Sequence, residues 1–476
     1  MPFGVIAHAG VFSRYRLTFE YRWGGAKFAP RKNALRDAGV LLHVAKPYPI
    51  WPDSLECQIQ EGDSGDLVFL GCGGLTWLDP DPAKAPAGQG VPGMLAEEGG
   101  IPKVYAKGGY IGRFPEYDRA EGWNRMDVIV QADDFAEFRV NGHVKSRVAH
   151  LRTASGAPLA SGGIALQLEG AEILYRDVRL RTLGVPLRAV PAMASLSAVK
   201  GVPAATRRIR VSNPSDAQRV AGVAVTGADA SAFTVSGDTG VLAPDAVREL
   251  TVSFAPKRGP GRYSAAVRVG DAETGAFVPL QGIAQDAFEG KNETPLQAAV
   301  YALGIPVNVG GTRPELDTAA ATLGDGKDVR RFRAAASGRV RVTPVARFSP
   351  KGRTPFGIVK DGSDARLETG VLADSEAVPD AHQSLLPPLA GGAPYVEFDA
   401  PEVPFGFYME GRHVVSFTDP ARPTKAKIAR TARVRPVSFF QGMPKTDTWL
   451  IGFEAAANGD YQDTVFLVEN VVPAGE

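Results

Sequence analysis

The stretch from Ser54 to Gln60 constrains this chain more than any other. Leu55, Cys57 and Ile59 alternate with Glu56, Gln58 and Gln60. That period of two is met by a strand with one buried face and one exposed face. The segment therefore predicts a sheet that buries its apolar side against a second layer. The polar side is unusual, because it presents a carboxylate and two amides in a row, followed by Glu61, Asp63 and Asp66 in a Gly-punctuated turn. Such a row offers paired acceptors and donors, which suits vicinal hydroxyls. An ordinary edge strand with a polar outer face is the competing reading.

The neighbouring segments read as further strands. Tyr15, Leu17, Phe19, Tyr21 and Trp23 alternate with polar residues, placing Glu20 and Arg22 together on one face, either as a surface ion pair or as part of a site. In Gly39–Val44, Leu41 and His43 share one face, with Val40, Leu42 and Val44 on the other. This strand is expected to pair with the Glu56 strand across the connection from Pro47 to Pro52, bringing His43, Glu56 and Gln58 onto one surface. A histidine in an apolar strand also fits a hydrogen-bonded structural role. Residues 73 to 121, rich in Gly, Pro and Ala, read as a long loop or lid over the polar face. Trp123-Asn124 opens a strand, Asn141-Gly142 marks a hairpin turn, and strands at 164–168 and 173–180 are expected to pair through Glu169-Gly170.

Several motifs in order, namely Trp51 to Asp66, Tyr15 to Trp23, Asp37 to His43, Gly122-Trp-Asn124, Val140-Asn-Gly142, Gly163 to Gly170 and Tyr175 to Leu180, resemble the 3-keto-disaccharide hydrolase domain family. The resemblance runs over about residues 3 to 182. It implies a concanavalin-like β-jelly roll and action on 3-keto-glycosides, with an oligosaccharide, polysaccharide or oxidised glycoside as partner. A ketone at C3 of a sugar acidifies the C2 hydrogen, so a base can remove it while the C1 oxygen leaves. Water addition then completes a net hydrolysis. On this reading His43 or Glu56 is the base, and Gln58 and Gln167 bind hydroxyls or the carbonyl. Glu61, Asp63 or Glu169 acts as acid or as ligand to a divalent metal. Glu20, Arg22, Gln60 and Trp123 complete the expected binding surface. Many relatives carry His where Glu169 stands, which sets a carbohydrate-binding or surface-attachment protein beside the enzyme reading. A retaining glycosidase is the weakest fit, since alternation sends Glu56 and Glu61 to opposite faces. Met1–His8 lacks the pattern of a cleavable signal, whereas the resemblance implies a secreted, periplasmic or cell-surface protein.

A chain of 476 residues calls for two to four domains. Basic and acidic residues balance at 53 against 52, which leaves no footprint for nucleic acid. No stretch is long and apolar enough for a membrane span. The fold class expected is mainly β: a jelly roll over 1–185, an immunoglobulin-like sandwich over 196–284 and a third β-rich domain over 286–476. The third opens on a helix with Thr294 as N-cap, Pro295 at the first helical position and Gly304 past the end. Near its end Glu454, Asn458, Asp460 and Asp463 surround a Gly turn, offering the oxygen ligands that Ca²⁺ takes or the hydrogen bonds of an Asx turn. This segment resembles C-terminal modules of secreted bacterial proteins. Cys57 and Cys72 exclude a disulfide framework and a four-ligand zinc site, and Cys57 reads as core.

Overall fold

Alternation carries the first 182 residues into two stacked seven-stranded sheets in a computed structural model that describes residues 3–45, 49, 51–84, 90–203, 206–311, 317–374 and 380–475. In chain order the strands are β1 (Phe3–Ala7), β2 (Arg14–Lys27), β3 (Asp37–Val44), β4 (Ser54–Gln60), β5 (Leu67–Leu70), β6 (Cys72–Leu78) and β7 (Val91–Pro92). They continue as β8 (Ile101–Tyr105), β9 (Gly109–Gly112), β10 (Asn124–Gln131), β11 (Phe135–Val140), β12 (His143–Thr153), β13 (Gly163–Glu169) and β14 (Ala171–Thr182). One sheet runs β1-β13-β3-β4-β5-β9-β7 and the other β14-β2-β10-β11-β12-β6-β8. The predicted pairing of β3 with β4 is present and is antiparallel, with Leu41 opposite Glu56 and Gly39 opposite Gln58.

The two inner faces meet in one apolar core. Val40, Leu42, Leu55, Cys57 and Ile59 from the first sheet pack against Tyr15, Leu17, Phe19, Tyr21 and Val128 from the second. Cys57 and Cys72 are buried free thiols. Truncating one of the large core side chains, such as Phe138, to alanine is expected to cost about 3–5 kcal/mol.

Two expectations are corrected here. The segment 73–121 is not a lid: β6 and β8 pair in the second sheet, and β9 pairs with β5 in the first. Residues 85–89 of that segment lie outside the described residues. Likewise β13 and β14 do not pair with each other. Gly170, at φ +70°, turns the chain from one sheet to the other, so β13 lies beside β3 and β14 beside β2.

Residues 188–285 form two four-stranded sheets, one of which carries a parallel pairing of Ala194–Val199 with Ala276–Gln285. Beyond them, two six-stranded sheets build on Phe332 to Pro473. The helix spans only Leu296–Ala302, with Pro295 itself as N-cap and no side-chain cap from Thr294. The Pro295 carbonyl accepts from Ala298 and Ala299, so the proline stands one position earlier than its fixed φ suggested. Gly304 at φ +67° ends the turn as expected. Among the described residues no helix is long and apolar enough to cross a membrane. The protein is mainly β and multidomain.

Candidate functional site

The outer face of the first sheet gathers polar side chains from three adjacent strands. Register puts Gln167, Gly39 and Gln58 in one row across β13, β3 and β4. Asp37 lies opposite Gln60 in the next row, and Glu56 lies opposite Leu41 in the row before. Gly39 is the position that lets these groups meet. A Cβ there would fall 2.1 Å from Glu56 Oε1 and 2.9 Å from Gln167 Oε1, so any other residue would displace both side chains.

Burial and like charge set the chemistry of this face. Glu56 is 5% exposed, and burial, with the Glu169 and Asp37 carboxylates adding to it, pushes its carboxyl up to about 8. Asp37 is raised to about 6 by burial and Glu169, against hydrogen bonds from Gln60 and the pull of Arg31. The Arg31 guanidinium stands 2.6 Å from Asp37 and 3.6 Å from Glu169. Gln60 Nε2 donates to Asp37 Oδ2 at 2.9 Å. Trp51, half exposed, donates its indole N–H to Glu169 at 3.1 Å and tilts against Phe3. Asp37 Oδ1 and both amide atoms of Gln167 are buried without a hydrogen-bond partner. Three such atoms beside one buried carboxyl is an arrangement that a polar ligand or ordered water completes.

Residues 1–181 match the model of the 3-keto-alpha-glucoside-1,2-lyase-like domain family. That match supports a carbohydrate-active protein. No curated protein matches the chain in sequence. Among solved structures the chain is similar to a protein of unknown function with a galectin-like fold from Bacillus subtilis, at 14% identity and a TM-score of 0.22, over 38% of this chain and 77% of that one. It is also similar to the binding domain of Paraclostridial Mosquitocidal Protein 1, at 9% identity and a TM-score of 0.20, over 56% of this chain and 74% of that one. Both likenesses are too distant to bear on function.

Within the lyase-like domain, His43 is not on the surface that holds Glu56. The pairing of β13 with β3 shifts register between Gly163 and Ile164, and His43 takes φ +56° at the resulting bulge. Leu42 and His43 both turn inward in consequence, and Val44 turns outward to pack with Leu41 and Ala165. The imidazole is 1% exposed, lies edge-on to Tyr15, and has Nε2 3.1 Å from the Ala132 carbonyl oxygen. Burial lowers its pKa, which favours the neutral imidazole of an interior histidine. Glu20, Arg22 and Trp123 are also elsewhere, on the outer face of the second sheet. There Arg176 pairs with Glu20 at 2.5 Å and stacks 3.9 Å over the Trp123 ring, with Arg22 at 5.2 Å. A period of two identifies a face, but it does not say to which of two sheets that face belongs.

The turn after β4 goes to other partners. Glu61 is bound by Arg36 at 2.7 and 3.0 Å, which holds its carboxyl below the usual range. Asp63, Asp66 and Glu116 lie within 4.8 Å of one another, as a metal set would. Lys145, fully buried, supplies the cation instead, 3.2 Å from Asp66 and 2.5 Å from Glu116. Asp37, Glu56 and Glu169 are not among the carboxylate groups that converge this closely in the described residues. Arg31, Asp37 and Trp51 belong to the candidate site without having been singled out. The alternation of Asp37, Gly39 and Leu41 along β3 was the signal available for Asp37.

In the C-terminal domain Glu454, Asp460 and Asp463 do converge within 4.8 Å, all buried. Glu454 accepts from the backbone N–H groups of Ala456, Asp460 and Tyr461, and Asp463 from that of Ala455. Asn458 turns its amide N–H toward Asp460, 2.5 Å away, offering a donor where a metal needs an acceptor. Ca²⁺ takes about six to eight oxygens, and these three carboxylates also accept the N–H groups that close the turn. Burial and the neighbouring Glu454 raise Asp460 to about 8 and Asp463 well above its usual range.

Proposed function

We propose that the outer face of the first sheet cleaves 3-keto-glycosides, with Glu56 as the base. The observation that carries this reading is Glu56 itself: a buried carboxyl raised to about 8, beside unpartnered polar atoms of Asp37 and Gln167. A base with a pKa close to ambient pH combines a useful ionised fraction with high proton affinity. The Glu56 carboxylate takes the proton from C2, and that electron pair forms the C1–C2 double bond. The C1–O bond breaks as it forms, and the leaving oxygen takes a proton from water. The Arg31 guanidinium and the amide N–H groups of Gln58 and Gln60 are the donors available to the oxygen at C3 as negative charge builds there. Trp51 supplies an apolar ring against which a sugar face can lie. Addition of water across the double bond then gives the hydrolysed sugar.

A carbohydrate-binding face without catalysis is the second reading. Arg31, which already compensates two of the three carboxylates, favours it. One experiment separates the two. Purified protein is incubated with 3-keto-trehalose and with a 3-keto-glucoside, and release of the leaving group is followed for wild type and Glu56→Gln. Release by wild type and its loss in the folded variant support the enzyme. Saturable sugar binding without release by either protein supports the binding face.

A further inference from the structure

The strongest feature outside the lyase-like domain is a cleft of about 810 Å³ in the C-terminal domain. Its walls come from the turn after the Arg339–Phe348 strand, the turn at 411–414, the segment at 425–427 and the loop at 455–457. Six of the side chains lining it are Lys351, Arg353, Arg412, His413, Lys425 and Lys427, all exposed. Arg353 pairs with Glu368 at 3.2 Å. Among the described residues Lys351, Arg412, Lys425 and Lys427 take part in no ion pair. The one acidic side chain on the walls is Asp463, which is buried and accepts the backbone N–H of Ala455.

This concentration stands out in a chain whose net charge is +1. Cations lining a concave wall focus their field into it, and a cleft of this size holds a short segment of a polymer. Lysines on separate loops act as point charges, suited to anions at intervals along a flexible chain more than to one planar group gripped on two sides. No Phe, Tyr or Trp lines the cleft among the described residues. Single-stranded nucleic acid is ordinarily held by stacking its bases on such rings, so that partner fits poorly.

We propose that this cleft binds an acidic polysaccharide through its carboxylate or sulfate groups. The site is independent of the Glu56 face, and its test reads binding, so failure of either reading leaves the other intact. The full chain is titrated with polygalacturonate, dextran sulfate and neutral dextran at low and at 0.3 M salt. Lys425→Glu/Lys427→Glu is compared with Lys257→Glu/Arg210→Glu, an equal charge change on exposed residues of the middle domain. The expected result is binding of one or both acidic polymers and none of dextran, weakened about tenfold or more by salt. The cleft variant is expected to bind about tenfold more weakly and the control variant as wild type. Polygalacturonate and dextran sulfate separate a carboxylate site from a sulfate site. Equal losses in the two variants, tighter binding of a single-stranded oligonucleotide, or no binding of either acidic polymer would overturn the proposal.

Discussion

Glu56 and Glu137 are both buried glutamates on the same jelly roll, one on each sheet, and their environments are opposite. Burial would raise Glu137, but Arg147, Arg139 and Arg268 outweigh it and hold the carboxyl below its usual range. Arg147 lies 2.6 Å away and Arg268, from the next domain, 3.4 Å. Glu56 has burial and two further carboxylates, and sits at about 8. Burial alone therefore does not mark a site. What distinguishes Glu56 is that the surrounding chain leaves its charge uncompensated, a costly arrangement that the lyase-like reading explains and a purely structural one does not.

Replacing each glutamate by its neutral isostere should break the comparison in opposite ways. Glu56→Gln is expected to lower turnover of a 3-keto-glucoside by about 10²–10⁴, the usual range for a lost general base, while the protein stays folded. Glu137→Gln should leave the buried Arg147 and the partly buried Arg139 and Arg268 under-compensated at a domain junction. It is expected to cost about 3–5 kcal/mol in denaturant unfolding, with little change in the chemistry at Glu56.

The pH dependences should also run in opposite directions. Because the folded-state pKa of Glu56 lies above its unfolded value near 4.5, the native state holds a proton the unfolded chain has released. Its contribution is favourable at low pH and is lost as pH rises through about 8. Glu137 is depressed, so its contribution is present above the unfolded pKa and is lost on acidification. Thermal unfolding of Glu56→Gln from pH 5 to 9 should thus show a flatter decline on the alkaline side than wild type. The same proton makes kcat/KM climb with pH up to about 8 and then level, since only the ionised carboxylate accepts the C2 hydrogen. Smallest of all, Trp51→Ala should raise KM about fivefold, roughly 1 kcal/mol, with kcat nearly unchanged.

How much of this was legible in the sequence depended on whether the deciding information was local. The alternation of Leu55, Cys57 and Ile59 placed Glu56, Gln58 and Gln60 on one outer face, and the strands hold them there. The mainly-β class followed from the same periodicity. His43 failed because one bulged residue inverts every face after it, and the bulge arises from pairing with β13, more than a hundred residues along the chain. Glu20 and Arg22 failed because alternation is the same in either sheet of a sandwich. The C-terminal carboxylates met as their spacing suggested, because Glu454 to Asp463 is a single turn region. Asp37 and Arg31 joined Glu56 through strand order and a loop pinned by the Phe28 N–H to the Gly170 carbonyl, neither of which a local pattern contains.

The most direct test of the central claim is hydrogen exchange at C2. A 3-keto-glucoside carrying deuterium at C2 is incubated in ordinary water with wild type and with Glu56→Gln, and isotope retention is followed alongside leaving-group release. Wild type should lose deuterium from C2 at least as fast as the leaving group departs, and Glu56→Gln should do neither at a comparable rate. Release from wild type with deuterium retained at C2, or equal exchange by both proteins, would contradict Glu56 as the base.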